Sequence, residues 1–252
     1  MLLTLLAVSL ATSPEFSFAF SNGDGTQLLA LEPLTAPSEL NRVACDGRVL
    51  DVKYVREQPA GAKDTGRQTA RNFAQVKGSL FTPVKGTLPV ETVCLLGTTK
   101  AFSKRTLEAV TPRDDERCDA STEALMVGLE KRKLAQCSAT GALKAGRMTF
   151  AKYEVEKDSA LAIVVLLPNT GTPAVRRFPA KWEKDSPSCW RADDGCEFDS
   201  TNYRVAFVMR GPAGLELFAR WAGPEGENVE LLRVTGSELK VIASSSRYWA
   251  PE

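Results

Sequence analysis

YRVAFVMRGPAGLELFARWAGPEGENVELLRVTGSELKVIA, residues 203–243, consists of apolar runs parted by short glycine-bearing breaks. The breaks are Gly211-Pro212-Ala213-Gly214, Gly223-Pro224-Glu225-Gly226 and Thr235-Gly236-Ser237. Glycine reaches turn conformations that other residues avoid, and proline cannot continue a hydrogen-bonded ladder. The runs Tyr203–Arg210, Leu215–Ala222, Asn228–Val234 and Leu239–Ala243 therefore predict an antiparallel meander. Alternation predicts which side chains travel together: Val205, Phe207 and Met209 on one face of their strand, Leu217, Ala219 and Trp221 on one face of the next.

Toward the N-terminus the strand pattern continues in Met148–Val155, Ala160–Leu167 and Ala174–Phe178. Ala160–Leu167 (ALAIVVLL) does not alternate, which predicts a central strand covered on both faces. The small-residue stretch Ser138–Ala145 separates this region from what precedes it. Two readings of the organisation stand: a mixed α+β region over 20–140 followed by an antiparallel β domain over 141–252, or a single β-rich domain.

In the N-terminal half, Arg48–Arg56 follows an Asp46-Gly47 turn and reads as a strand, as does Val90–Leu96, which carries Cys94. Phe20–Asp46 reads as an extended segment, and Thr69–Val76 as a short helix. Ser121–Gln136 is the strongest helical stretch, with Ser121 or Thr122 as its cap and Leu125, Met126 and Leu129 on one face. Lys131, Arg132 and Lys133 fall in its last turns, where cations complement the helix C-terminus. The expected class is α+β and strand-rich. An antiparallel β-meander, sandwich or barrel-like, forms the C-terminal half, beside a disulfide-stapled, mixed α/β N-terminal half.

Composition sets the compartment and trims the chemistry. The 252-residue chain is 43% hydrophobic with a formal net charge of +1, a globular balance with no basic stripe for a nucleic acid. Leu2–Ala11 (LLTLLAVSLA) is an apolar run too short to span a bilayer and of the length of a signal-peptide core. No Lys or Arg precedes it, which leaves a mis-assigned start or a buried first strand as competing readings. As a leader it would be cleaved after Ala11 or Ala19; Ala19, giving a signal peptide over 1–19, is preferred because Ala11 leaves a very short leader.

Six cysteines, Cys45, Cys94, Cys118, Cys137, Cys189 and Cys196, form an even set in a chain read as exported, which predicts disulfides. Cys189 and Cys196 enclose a short polar loop and are expected to pair locally; the other four are expected to pair among themselves, in an order the spacing leaves open. No Cys-x-x-Cys occurs and histidine is absent, so neither a zinc site nor His-dependent catalysis is available. No metal and no cofactor is expected.

Candidate binding residues cluster in the last third. Trp182, Trp190, Trp221 and Trp249 all lie there, Trp221 expected in the core and Trp190 and Trp249 expected at the surface. The loop 190–202 carries Asp193, Asp194, Glu197 and Asp199, without the spacing of an EF-hand. Asn22-Gly23-Asp24-Gly25 reads as a turn. The expected binding surface joins Trp190, Asp193, Asp194, Glu225, Tyr248 and Trp249, an apolar anchor beside hydrogen-bond acceptors.

The chain thus reads as a secreted or periplasmic, non-catalytic binding protein, its partner an extracytoplasmic protein or glycan. Two other readings stand: a hydrolase of polysaccharide using two of Asp194, Glu197, Glu225 and Glu227, and a structural component of the envelope.

Overall fold

The computed structural model describes residues 15–182, 198–223 and 225–249. Two sheets, antiparallel except where the last strand meets the strand ending at Lys181, account for nearly all of its regular structure. Strands β1 (Phe16–Ser21), β2 (Leu28–Ala30), β3 (Arg42–Cys45), β4 (Arg48–Gln58), β5 (Gly78–Pro83) and β6 (Val93–Gly97) close into a barrel in the order β1-β2-β5-β4-β3-β6. A short helix, α1 (Thr99–Ser103), then leads into the second sheet.

That sheet comprises β7 (Thr106–Ala109), β8 (Thr111–Arg117), β9 (Leu134–Leu143), β10 (Gly146–Tyr153), β11 (Ser159–Pro168), β12 (Ala174–Lys181), β13 (Tyr203–Gly211), β14 (Gly214–Gly223), β15 (Gly226–Thr235) and β16 (Glu238–Tyr248). Its order is β7-β13-β14-β15-β16-β12-β11-β10-β9-β8. The sequence-predicted meander is β13 to β16, paired consecutively and antiparallel. The edge strands β7 and β8 are neighbours in the chain, joined through Val110. The sheet therefore curls into a second barrel-like body whose two edges meet at Val110 and diverge beyond it.

Burial explains the layering. Phe16, Phe18 and Phe20 of β1 face the second sheet, while Ala19 packs inside the barrel with Leu28, Val43, Phe81 and Leu96. The shared wall is aromatic: Phe18 stacks on Phe218 at 6.1 Å between ring centroids, and Phe218 on Phe207 at 4.8 Å. Inside the curled sheet, Phe150, Val164, Phe178, Leu217 and Leu232 converge on one core. Strand β11 is covered on both faces as its composition predicts: Ala162, Val164 and Leu166 point into that core, and Leu161, Ile163, Val165 and Leu167 pack beneath the helix α2 (Ala120–Glu130).

Two disulfides lie in the N-terminal half. Cys45–Cys94 joins β3 to β6 inside the barrel, and Cys118–Cys137 ties the end of β8 to β9. Cys189 and Cys196 lie outside the described residues.

Several expectations need correction. Ala19, the preferred cleavage position, is fully buried in the middle of β1 and sits opposite Cys94. Cleavage there would strip Phe16 and Phe18 from the core, whereas cleavage after Ala11 leaves β1 whole. Phe20–Asp46 is not merely extended: it contributes the end of β1 and all of β2 and β3. Residues 69–76 form turns in place of a helix. Ser138–Ala145 lies within β9 and its hairpin to β10, and the change of sheet falls at 98–105 instead.

Helix α2 starts one residue earlier than expected, because Asp119 accepts the Thr122 N–H at 2.7 Å and so serves as its cap. It ends early as well, since Lys131 adopts φ 55° and turns the chain left-handed. Lys133 and Arg132 lie beyond that turn and pair with Glu154 and Glu156 of the β10–β11 hairpin. Met126 of the helix is fully buried, while Leu125 is exposed. Finally, β13 carries a bulge between Val205 and Phe207. One extra residue reverses the pleat, so Val205 faces the curled sheet's core while Phe207 and Met209 face the barrel.

Candidate functional site

The divergence of β7 and β8 opens a seam. β7 pairs with β13 only over Phe207–Arg210, then the chain bends at Val110 and β8 pairs with β9. The start of β13 and the free edge of β8 are thereby left facing each other without a ladder between them. A 3₁₀ turn, Ser200–Asn202, sits at the wide end of this wedge, capped by Asp199, which accepts from the Thr201 N–H and hydroxyl at 2.9 and 2.6 Å.

Two cavities occupy the seam, of about 610 and about 350 Å³, and Ser200 and Thr201 line both. The larger is walled by Arg117, Glu123, Gln136, Ser138 and Asp199, and Cys137 brings the Cys118–Cys137 bond to its edge. The smaller is walled by Arg113, Thr140, Tyr203 and Arg204. Charges of both signs, an amide and several hydroxyls thus face one cleft. Gln136 Nε2 donates to Ser200 Oγ at 3.2 Å, linking β9 to the 3₁₀ turn across it. The two carboxylates on its wall are already engaged, Asp199 with Thr201 and Glu123 with Arg117 at 3.4 Å.

Of the sequence-predicted site, Trp190, Asp193 and Asp194 lie outside the described residues, as does Glu197. Glu225, Tyr248 and Trp249 are brought together: the Trp249 N–H donates to the Glu225 carbonyl at 2.8 Å, and Tyr248 sits opposite Gly226. The side chains of Glu225 and Tyr248 are exposed and Trp249 is half-buried. This corner is also the joint between the two sheets. Arg247 is buried, donates to the Gln68 and Glu91 carbonyls at 2.6 and 2.8 Å, and lies over the rings of Phe20 and Trp249. The Tyr248 backbone exchanges hydrogen bonds with Gln68. Trp249 is therefore occupied in covering a buried guanidinium, and Tyr248 in docking the barrel. Glu227, a carboxylate considered for hydrolysis, is buried between Arg220 and Arg247 as part of the same joint.

The seam residues Gln136, Thr140, Ser200, Thr201 and Arg204 carry no motif in the sequence. Their shared location arises from where β7 and β8 split, a long-range property of the topology. Asn22–Gly25 is a turn, with Asn22 Oδ1 accepting from the Thr26 and Gln27 N–H groups. No family model, curated protein or solved structure matches this chain.

Proposed function

We propose that the chain is an exported, non-catalytic binding protein that folds where thiols are oxidised and takes a hydroxyl-rich glycan in the seam cleft. The observation that carries the reading is the pair of adjoining cavities walled by neutral and oppositely charged hydrogen-bonding groups. A sugar hydroxyl donates and accepts at once, so it suits such a mixed wall better than a wall of one charge. The two disulfides support the compartment, since such bonds persist outside the reducing cytosol. Binding is favoured over hydrolysis because Asp199 and Glu123 each serve a structural partner already.

Calorimetric titration of the disulfide-bonded protein with maltohexaose, cellohexaose and chitohexaose tests this. Binding of at least one is expected, weakened about tenfold by Gln136→Ala and by Arg204→Ala, the loss of roughly one hydrogen bond each. Trp249→Ala is expected to leave affinity unchanged. Failure of all three oligosaccharides, or cleft variants that bind as the parent does, would contradict the proposal. If Trp190→Ala and Trp249→Ala removed binding while the cleft variants did not, the surface first read from the sequence would be the site.

A further inference from the structure

Tyr203 and Trp221 are direct cross-strand partners on β13 and β14. Tyr203 is buried, and its hydroxyl has no hydrogen-bond partner among the described residues; the Trp221 indole Nε1 is likewise buried and unpartnered among them. Both rings pack edge-on against Phe178, at 5.8 and 6.0 Å, and Trp221 also meets Phe198 at 5.8 Å. Orphaned buried donors are rare because each forgoes its bonds to water. Here two lie on directly paired residues of neighbouring strands, both against the Phe178 ring. Tyr203 also lines the smaller seam cavity, which gives a route in from solvent.

We infer that the Tyr203 O–H and the Trp221 Nε1–H together bind one oxygen acceptor of a small ligand whose body is apolar, such as an aryl ketone. The Tyr203 hydroxyl is kept as a donor through the physiological range, because burial, with the charge of Glu230 added, pushes its ionisation far up. A ligand carbonyl accepts two hydrogen bonds through its lone pairs, and the surrounding Phe178 and Phe198 rings suit an aryl group. The site adjoins the smaller seam cavity through Tyr203, whereas the glycan reading is tested at Gln136 and Arg204.

The test follows the Trp221 indole proton by NMR, assigned through its loss in Trp221→Phe, while the full chain is titrated with acetophenone and, separately, ethylbenzene. Acetophenone is expected to move that proton downfield and ethylbenzene, which lacks the acceptor, to leave it in place. Tyr203→Phe is expected to weaken acetophenone binding about tenfold. The same variant is expected to raise the thermal midpoint of the unliganded protein, since it deletes a buried donor that no described residue satisfies. The inference is overturned if the indole proton ignores acetophenone, if both probes move it equally, or if Tyr203→Phe binds acetophenone as tightly as the parent. Gln136→Ala leaves this signal intact, so a failure here is distinguishable from failure of glycan binding.

Discussion

Glu216 shows how single residues hold the two sheets together. It sits on β14, almost wholly buried, with Arg105 Nε at 2.6 Å and Arg233 Nη2 at 2.7 Å. Arg105 reaches on to Glu15 at 2.8 Å and lies over the Phe16 ring, so one carboxylate organises contacts from both bodies. Burial alone would raise the Glu216 carboxyl; hydrogen bonds and charge from Arg105 and Arg233 outweigh it and hold the group below its ordinary value. Its folded state therefore binds fewer protons than its unfolded state in the acid range. The stabilisation it brings is complete above the unfolded pKa and lost as pH falls through the folded one. Denaturation midpoints are expected to decline below about pH 4.5, and Glu216→Gln to flatten that decline. Glu216→Ala, which takes the shared carboxylate from Arg105 and Arg233, is expected to cost about 3 kcal/mol in urea titrations at pH 7. An unchanged midpoint would show that the cluster holds nothing.

At the scale of elements, the sequence was readable where local pattern and burial agree. Strand β11 declared its two-sided burial by being apolar throughout, and the meander declared its turns with glycine. Strand β9 did not, because LAQCSATGAL is built of small residues that resemble a linker. At Gly141 the close approach of the β7–β8 joint explains the choice: a Cβ there would lie 2.6 Å from Val110 Cγ1. Helix α2 was overextended because its stop is a non-glycine residue in the left-handed region, which leaves no compositional mark. Lys131→Gly removes that strain and is expected to stabilise the protein by about 1 kcal/mol, read from chemical denaturation. The disulfides act on the unfolded chain: Cys45–Cys94 spans 49 residues and Cys118–Cys137 spans 19. Closing loops of those lengths stabilises by about 4 and about 3 kcal/mol, so Cys45→Ala/Cys94→Ala is expected to lower stability more than Cys118→Ala/Cys137→Ala.

Across the whole molecule, the seam cleft rests on a topology that no window of residues displays. The seam exists because one extended stretch, 106–117, serves β13 with its first half and β9 with its second. Of the surface read from the sequence, Glu225, Tyr248 and Trp249 do converge, but the contacts that hold them there face inward to Arg247 and the barrel. The preferred cleavage point, after Ala19, meets a related obstacle. Phe16–Ser21 resembles the small and apolar residues around a cleavage site, and only the long-range pairing of β1 with β6 reveals it as the wall between the two bodies.

That wall makes the export claim testable in one measurement: the intact mass of the native protein recovered from its source, taken with and without thiol alkylation before reduction. The account predicts a chain processed upstream of Glu15, with Cys45, Cys94, Cys118 and Cys137 refusing alkylation. A chain carrying residues 1–14 and alkylated at those four positions would contradict it.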